Sequence, residues 1–145
     1  MKNKEKVYTI STNKTKLNIS LIYHYLSVES YWAKNIPLNT VKTSIKNSIC
    51  FGVYVGSEQV GFARVITDKA TFAYLADVFI VEPHRKKGLS KKLMKYILNY
   101  KKLKGLRRFM LATLDAHELY RKYGFSELRN PERIMEINIP DIYTR

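Results

Sequence analysis

The spacing of apolar residues changes several times along the chain, and each change predicts a different kind of element. Between residues 18 and 30, apolar side chains recur every three or four positions, which is the period of a helix packed along one face. Val41, Ile45 and Ile49 repeat this spacing after Pro37 and predict a second helix. Two helices are therefore expected in the first third of the chain.

Segments rich in β-branched and aromatic residues predict strands on either side of these helices. They cover residues 5–10, 50–56, 59–67 and 71–81. A short hairpin signal, Gly56-Ser57-Glu58, joins the second segment to the third. The fourth segment is long and almost uncharged, so we expect it to be buried on both faces at the centre of a sheet.

A helical period returns after Gly88. Its apolar stripe consists of Leu89, Leu93, Tyr96, Ile97 and Tyr100. We expect this helix to end at Gly105, because glycine is the usual residue just beyond a helix C-terminus. Residues 106–113 then predict another strand.

The last part of the chain predicts one short helix and two short strands. Asp115 and Glu118 resemble a capping box for a helix that ends at Gly124. The strands cover residues 125–128 and 133–137. The complete order predicts an α+β fold with a mostly antiparallel sheet and one strand–helix–strand crossover in its second half.

Length and composition fit one folded domain over residues 1–145. Hydrophobic residues make up 46% of the chain, which is enough to form a core and excludes a disordered chain. The one cysteine, Cys50, lies in an apolar run, so we expect a buried thiol and no disulfide. Residues 1–6 do not resemble a signal peptide, and no apolar run is long enough to span a membrane. These features predict a cytoplasmic protein without a membrane partner.

The net charge of +14 is compatible with nucleic acid, an anionic membrane or a small polyanionic ligand as a partner. The lysines are spread over nearly every element, and neither zinc-ligand spacing nor an RNA-binding aromatic motif is present. We therefore expect no specific nucleic acid and no metal site. A basic nucleic-acid-binding module stays as an alternative function.

A basic turn carries the most specific chemistry in the sequence. It lies between the central strand, which ends at Val81, and the helix that follows Gly88. Unpaired N–H groups at a helix N-terminus suit a phosphate, and glycine allows a ligand to approach the backbone closely. Arg85, Lys86 and Lys87 add positive charge at the same place. The turn is thus a candidate phosphate site, although a plain connection between strand and helix explains the same residues.

Two motifs lie in the second half of the chain. The first is Arg85-Lys86-Lys87-Gly88-Leu89-Ser90, and the second is Leu119-Tyr120-Arg121-Lys122-Tyr123-Gly124-Phe125. Together they make the chain similar to a known family, the GNAT superfamily of N-acetyltransferases. The first resembles the family's coenzyme A motif, an Arg or Gln, two residues, Gly, one residue, then Gly or Ala. The second resembles the family's Leu-Tyr, three residues, Gly-Phe segment. The resemblance implies about six or seven strands and about four helices, with splayed central strands that form an acyl-coenzyme A cleft.

The resemblance also implies acetyl-coenzyme A as the cofactor and places its contacts. The pantetheine arm is expected against backbone groups of Phe79, Ile80 and Val81, in the manner of an added strand. The pyrophosphate is expected on the turn, from Arg85 through Lys86, Lys87, Gly88 and Leu89 to Ser90. Two positions differ from the usual pattern. Ser90 stands where Gly or Ala is usual, and Thr113 stands where many members have an Asn that contacts the cofactor arm.

The resemblance gives Tyr120 the role of the acid that protonates the departing thiolate, whereas the residues alone also allow a packed aromatic. Asp77 is the only acid on the central strand, so it is either the base or a group that holds a loop through hydrogen bonds. Tyr74 occupies the position where some relatives have a catalytic Glu, so proton removal through water stays open.

The acceptor is expected to contact Tyr31, Trp32 and Tyr74, with Trp32 as a core residue in the alternative interpretation. We predict acetyl transfer to the amine of a small molecule, or of a peptide, by direct transfer. A coenzyme A-binding protein without transfer activity is the second interpretation. Relatives often pair through sheet edges or C-terminal strands, so a homodimer is also expected.

Overall fold

Five strands form the centre of the computed structural model, which describes residues 6–145. They are β1 (Tyr8–Ser11), β2 (Ile49–Val55), β3 (Glu58–Thr67), β4 (Phe72–Ile80) and β5 (Arg108–Leu111). The strands lie in chain order across the sheet, and every neighbouring pair is antiparallel except β4 and β5. The expected α+β fold with one parallel crossover is therefore confirmed. Residues 1–5, which include the start of the first predicted strand and most of the segment examined for a signal peptide, lie outside the described residues.

Four α-helices cover the two faces of this sheet. They are α1 (Ile19–His24), α2 (Leu38–Lys46), α3 (Leu89–Leu98) and α4 (His117–Arg121). The helices α1 and α2 pack with Phe62 and Phe79 in one apolar cluster, while α3 and α4 pack with Phe51 and Leu75 in another. Successive strand residues point to opposite faces, so the same strands supply both clusters. Cys50 is buried in the first cluster, and burial is the main factor that raises the pKa of its thiol to about 11.

Several predicted boundaries differ from the structure. Ile49, expected on the second helix, is the first residue of β2, because α2 ends at Lys46. The first helix changes after His24 into a π-helical turn over Tyr25–Glu29. The third ends at Leu98 and not at Gly105, and a short 3-10 turn over Lys101–Leu103 fills part of the interval. The capping box at Asp115 is wrong, because Ala116 precedes α4 and no described side chain caps that helix.

The two C-terminal strands predicted over residues 125–128 and 133–137 are absent from the sheet, which has five strands and not six or seven. Apolar alternation favours a strand, but a strand also needs a neighbour that accepts and donates backbone hydrogen bonds. Among residues 6–145, nothing pairs with these segments. In the same part of the chain, no helix is both long enough and apolar enough to cross a bilayer.

Candidate active site

A gap opens beside the second half of β4. The parallel pairing with β5 extends only from Phe72 to Leu75, whereas β4 continues to Ile80. A register shift against β3 lies where the gap begins, and Asp77 has a φ of 54°, which marks a bulge in the strand. The expected splaying of the central strands is therefore present. Among the described residues, none fills the place of a strand beside residues 76–80.

The phase of the strand determines which backbone groups face this gap. The N–H of Val81 donates to the carbonyl of Val60 on β3 at 2.9 Å. Because backbone groups alternate between the two edges of a strand, Phe79 also turns toward β3, and Val78 and Ile80 turn toward the gap. Of the three residues expected to contact the cofactor arm, only Ile80 offers its backbone. Val78 was missed because the sequence does not show how the bulge sets the phase.

The turn after β4 leads to an open helix N-terminus. Gly88 has a φ of 75°, in the left-handed region, and α3 begins at the next residue. No side chain of the described residues caps the helix, and a Cβ at Gly88 would meet no atom within 4 Å. The first-turn N–H groups of α3 are thus accessible at the end of the gap, which suits an anionic group.

The charged residues of the turn have different surroundings. The Arg85 guanidinium points back into the protein, where Nε donates to the carbonyl of Ile80 at 2.8 Å and Nη2 donates to Tyr25 Oη at 3.0 Å. Arg85 therefore fixes the turn to β4 and to the first helical segment. Lys86 and Lys87 are exposed beside the helix N-terminus and carry the free positive charge of the turn.

Tyr120 is buried on α4 and lines the cavities on both sides of β5. Burial is the main factor that raises the pKa of its phenol, and Tyr31 and Asp115 contribute in the same direction. The hydroxyl therefore keeps its proton at neutral pH. This is the state that a proton donor needs.

A second cavity, of about 620 Å³, lies on the face of the sheet that α1 and α2 cover. Tyr31, Trp32 and Tyr74, the three residues expected to contact the acceptor, all line it. The aromatic rings of Tyr31 and Trp32 pack edge to face, with their ring centroids 5.0 Å apart. The structure thus brings the predicted acceptor residues to one place, and Tyr143 near the C-terminus joins them.

Asp77 lies on the wall of this cavity with both carboxylate oxygens occupied. Its Oδ1 accepts from Trp32 Nε1 at 2.8 Å, and its Oδ2 accepts from Arg64 Nε at 2.9 Å. Arg64 also donates to Ser48 Oγ at 3.1 Å. The Asp77 side chain is only 9% exposed. Asp77 and Arg64 therefore form a buried ion pair, and Asp77 also orients Trp32. The alternative expected from the sequence was that Asp77 accepts hydrogen bonds from a loop backbone, but both donors here are side chains.

Two hydrogen bonds hold the loop after β5, which lines this cavity. Thr113 Oγ1 accepts from the N–H of Ala116 at 3.0 Å, so its hydroxyl stabilises the start of α4. The Tyr31 hydroxyl accepts from the N–H of Leu114 at 3.1 Å and connects the loop before α2 to the loop after β5. Asp115 follows on the same loop and is exposed at the cavity wall. The sequence did not indicate that Asp115 lines a cavity, because its spacing from Glu118 resembles a capping box.

Comparisons with known proteins all give similarity to acetyltransferases. The model of the Acetyltransferase (GNAT) family matches residues 19–125. A Gibberella zeae protein, named provisionally as an acetyltransferase, is 33% identical over an alignment that covers 91% of this chain and 86% of that protein. A crystal structure from Xanthomonas campestris pv. campestris, assigned provisionally to the acetyltransferases of the GNAT family, is 48% identical, covers 96% of this chain and 98% of that chain, and has a TM-score of 0.94.

A more distant structure shows the same fold. It is an acetyltransferase from Clostridium acetobutylicum, assigned by prediction and crystallised with acetyl-CoA. It shares 14% of its sequence with this chain, covers 92% of this chain and 96% of that chain, and has a TM-score of 0.66.

Proposed function

Because the chain belongs to the acetyltransferase (GNAT) family, we propose that it transfers the acetyl group of acetyl-coenzyme A directly to the amine of a small molecule. The observation that carries this proposal is that the second half of β4 has no neighbour on its β5 side and leads to the open N-terminus of α3. A gap of this kind admits an extended arm, and the helix N-terminus accepts a phosphate group at its end.

The residues present fit acetyl-coenzyme A. The backbones of Val78 and Ile80 face the gap, and their N–H groups and the C=O of Val78 are available to the amides of the pantetheine arm, whereas the C=O of Ile80 already accepts from Arg85. The first-turn amides of α3, with Lys86 and Lys87 beside them, supply donors for the pyrophosphate. The bound molecule supplies a thioester from which an acetyl group can be transferred to a nucleophile.

Tyr120 serves as the proton donor in this proposal. Its buried phenol holds a proton at Oη and gives it to the sulfur as the carbon–sulfur bond breaks. A backbone N–H that faces the gap, at Val78 or Ile80, is placed to polarise the carbonyl oxygen. No residue needs to form a covalent bond with the acetyl group, because the amine attacks it directly.

The amine loses one proton as the new carbon–nitrogen bond forms. Asp77 is poorly suited to take it, since Arg64 and Trp32 occupy both of its oxygens. Asp115 is the better candidate, because it lies on the wall of the same cavity and forms no ion pair among the described residues. It accepts the proton directly or through a water molecule.

Thermal unfolding with acetyl-coenzyme A, and separately with duplex DNA, tests the proposal against a nucleic-acid-binding module. Only a ligand that binds the native state raises the unfolding midpoint. We expect the midpoint to rise with acetyl-coenzyme A and to stay unchanged with DNA at physiological salt. A rise with DNA alone would reverse the assignment.

Gly88→Ala should weaken acetyl-coenzyme A binding about tenfold or more. A Cβ there stands where the phosphates approach, and an alanine strains the left-handed backbone that presents the α3 amides. Gly56→Ala is the matched control, since Gly56 also has a positive φ of 57° and open space around it but lies in the distant β2–β3 turn. Both variants lose similar stability, whereas only Gly88→Ala loses the ligand-induced midpoint shift. Equal shifts in both would place the phosphates elsewhere.

The acceptor cavity indicates a small compound with an ammonium group. Aromatic faces attract cations, and the cavity contains Tyr31, Trp32, Tyr74 and Tyr143 together with the carboxylate of Asp115. The rest of the chain is strongly positive and repels a cationic substrate, and the carboxylate of Asp115 offsets this repulsion inside the cavity. This supports an amine metabolite as the acceptor class.

Trp32 provides a direct signal for the acceptor, because it is the only tryptophan of the chain and is 40% exposed on the cavity wall. An amine that fills the cavity displaces water from the indole, so we expect its emission to change with saturation. A panel of amines is screened by release of free thiol from acetyl-coenzyme A, and each active amine is titrated by fluorescence. Trp32→Phe gives the blank for inner-filter effects. An amine that is turned over without altering Trp32 emission would exclude this cavity as the acceptor site.

A further inference from the structure

The guanidinium of Arg64 reaches the acceptor cavity with part of its hydrogen-bonding capacity unused. It has five N–H groups, and the contacts among residues 6–145 use one on Nε, toward Asp77, and one on Nη1, toward Ser48. Neither N–H group of Nη2 has an acceptor there. Nη2 is also not enclosed by protein, because Tyr54 Oη is the one enclosed side-chain polar atom of these residues that lacks a partner. Since Arg64 lines the cavity, Nη2 is available to a molecule inside it.

This arrangement suits a carboxylate. A guanidinium is planar and permanently charged, and its N–H groups match the two oxygens of a carboxylate. The side chain of Arg64 is only 15% exposed, so water weakens little any bond that it forms. Its contacts with Asp77 and Ser48 hold the guanidinium in place before a ligand arrives, which lowers the cost of binding. Thr40 lines the same cavity from α2, and its hydroxyl can donate a further hydrogen bond.

A group of opposite charge lies in the same cavity on the other side of β4. Arg64 is on β3, whereas Asp115 follows β5, and the sheet order places β4 between these two strands. Neighbouring strands are about 4.8 Å apart, so β3 and β5 are separated by roughly 10 Å. Among the described residues, Arg64 is the only base that lines the cavity. A molecule that fills the cavity therefore meets a cation on one side and a carboxylate on the other.

We propose that the acceptor is an amino acid, whose ammonium group lies near Asp115 and whose carboxylate binds Arg64 Nη2 and the Thr40 hydroxyl. This inference rests on the proposed function, because it takes the cavity as the acceptor site. The side chain of the amino acid then packs against the aromatic walls at Tyr31 and Trp32. Transfer forms the carbon–nitrogen bond and breaks the carbon–sulfur bond. Overall the ammonium group gives up two protons, of which the sulfur receives one and solvent the other, and the carboxylate is unchanged.

Matched pairs of ligands test the carboxylate contact on the unmodified protein. A panel of amino acids that includes β-alanine and γ-aminobutyrate is paired with the amines that lack the carboxylate, such as phenylalanine with phenethylamine and leucine with isoamylamine. Emission of Trp32 measures the affinity of each compound, and thiol release measures its turnover. Hydrogen bonds between charged groups are the strong ones, so we expect the preferred amino acid to bind about 10- to 100-fold more tightly than its amine.

Arg64→Lys tests the residue itself. A lysine keeps a positive charge for Asp77 but lacks the planar fork, so the preference for the amino acid over its amine should fall about tenfold or more. The affinity for the amine should change little. Thr40→Val removes one hydroxyl from an exposed position of α2 and should lower the same preference without disturbing the fold. Arg121→Lys is the matched control, because Arg121 is also ion-paired but lies on α4 outside this cavity, so the preference should stay unchanged.

Several results would overturn this assignment. Equal affinities within every pair, or no emission change with any amino acid, would show that the cavity does not recognise a carboxylate. An equal loss for both members of each pair in Arg64→Lys, with no effect of Thr40→Val, would leave Arg64 with a structural role only. Failure of the proposed function gives a different pattern, in which acetyl-coenzyme A causes no midpoint shift and no acceptor releases thiol. The emission titrations still decide in that case whether a carboxylate binds.

Discussion

Replacing Tyr120 by Phe is expected to lower kcat by about 10²- to 10⁴-fold while the affinity for acetyl-coenzyme A changes little. The substitution removes only the hydroxyl, whose proton is the one that the proposed acid gives to the departing sulfur. Nothing in the native packing should change, since burial and nearby charges, not a hydrogen bond, account for the raised pKa of Tyr120. Thiol release measures turnover, and the acetyl-coenzyme A midpoint shift measures binding.

Tyr100→Phe is the matched control for this variant. Tyr100 packs against the core after α3 and lines neither cavity beside β5, so its loss of a hydroxyl should leave turnover unchanged. A Tyr120→Phe enzyme that keeps its kcat would show that water or another residue supplies the proton. A variant that loses binding and turnover together would show that Tyr120 only shapes the cleft.

The pH profile gives a second readout for Tyr120. The phenol must be protonated to act. Its pKa lies above the ordinary value of 10.0, mainly because the group is buried and also because Tyr31 and Asp115 lie nearby. The contribution of Tyr120 is therefore fully present at neutral pH and is lost only as the pH rises through this raised pKa. We expect the alkaline fall in kcat of the unmodified protein to be absent from Tyr120→Phe.

Replacing Asp77 by Ala is expected to lower the free energy of unfolding by about 3 to 5 kcal/mol. The change leaves the guanidinium of Arg64 buried without its partner, with only 15% of that side chain exposed. It also removes the acceptor of the Trp32 indole N–H. Urea unfolding followed by circular dichroism measures the loss. This magnitude is large because a charge that was paired inside the protein becomes unpaired there.

Two further variants separate the ion pair from its surroundings. Asp77→Asn keeps an oxygen acceptor for Trp32 and tolerates the left-handed φ, so we expect a smaller loss than with Ala. The double variant Arg64→Met, Asp77→Ala removes both charges, and its loss should be clearly smaller than the sum of the two single losses. If the stability losses of the two single variants simply add in the double variant, Arg64 and Asp77 are not coupled. The effect of Asp77→Ala would then come from the backbone bulge.

The parts of the site that are local in sequence could be predicted from it. The turn before α3 depends on one glycine, three neighbouring basic residues and a strand that ends at Val81, and the structure shows a left-handed Gly88 and an open helix N-terminus there. The expectation that the strand over residues 71–81 lies at the centre of the sheet and is buried on both faces is wrong. β3 is the middle strand, whereas β4 lies next to the edge strand β5, and its residues 74 and 76–78 are only partly buried because they line an open cavity.

Features that depend on pairing could not be predicted. Arg64 and Asp77 are 13 positions apart and meet only because β3 and β4 pair with a particular register and bulge. The same bulge decides that Ile80, and not Phe79 or Val81, faces the gap. The segment over residues 133–137 shows the opposite failure, since its strand-like pattern is real but the described residues offer it no neighbour.

The gap beside β4 is bounded by backbone, whereas the proposed acceptor cavity is bounded by side chains of loops, helices and strands. A substitution at Tyr31, Trp32 or Tyr74 alters the surface proposed to meet the amine and is expected to leave the spacing of β4 and β5 as it was. Substrate preference in such a protein can therefore drift during evolution one residue at a time, while the donor half of the reaction is inherited unchanged with the fold.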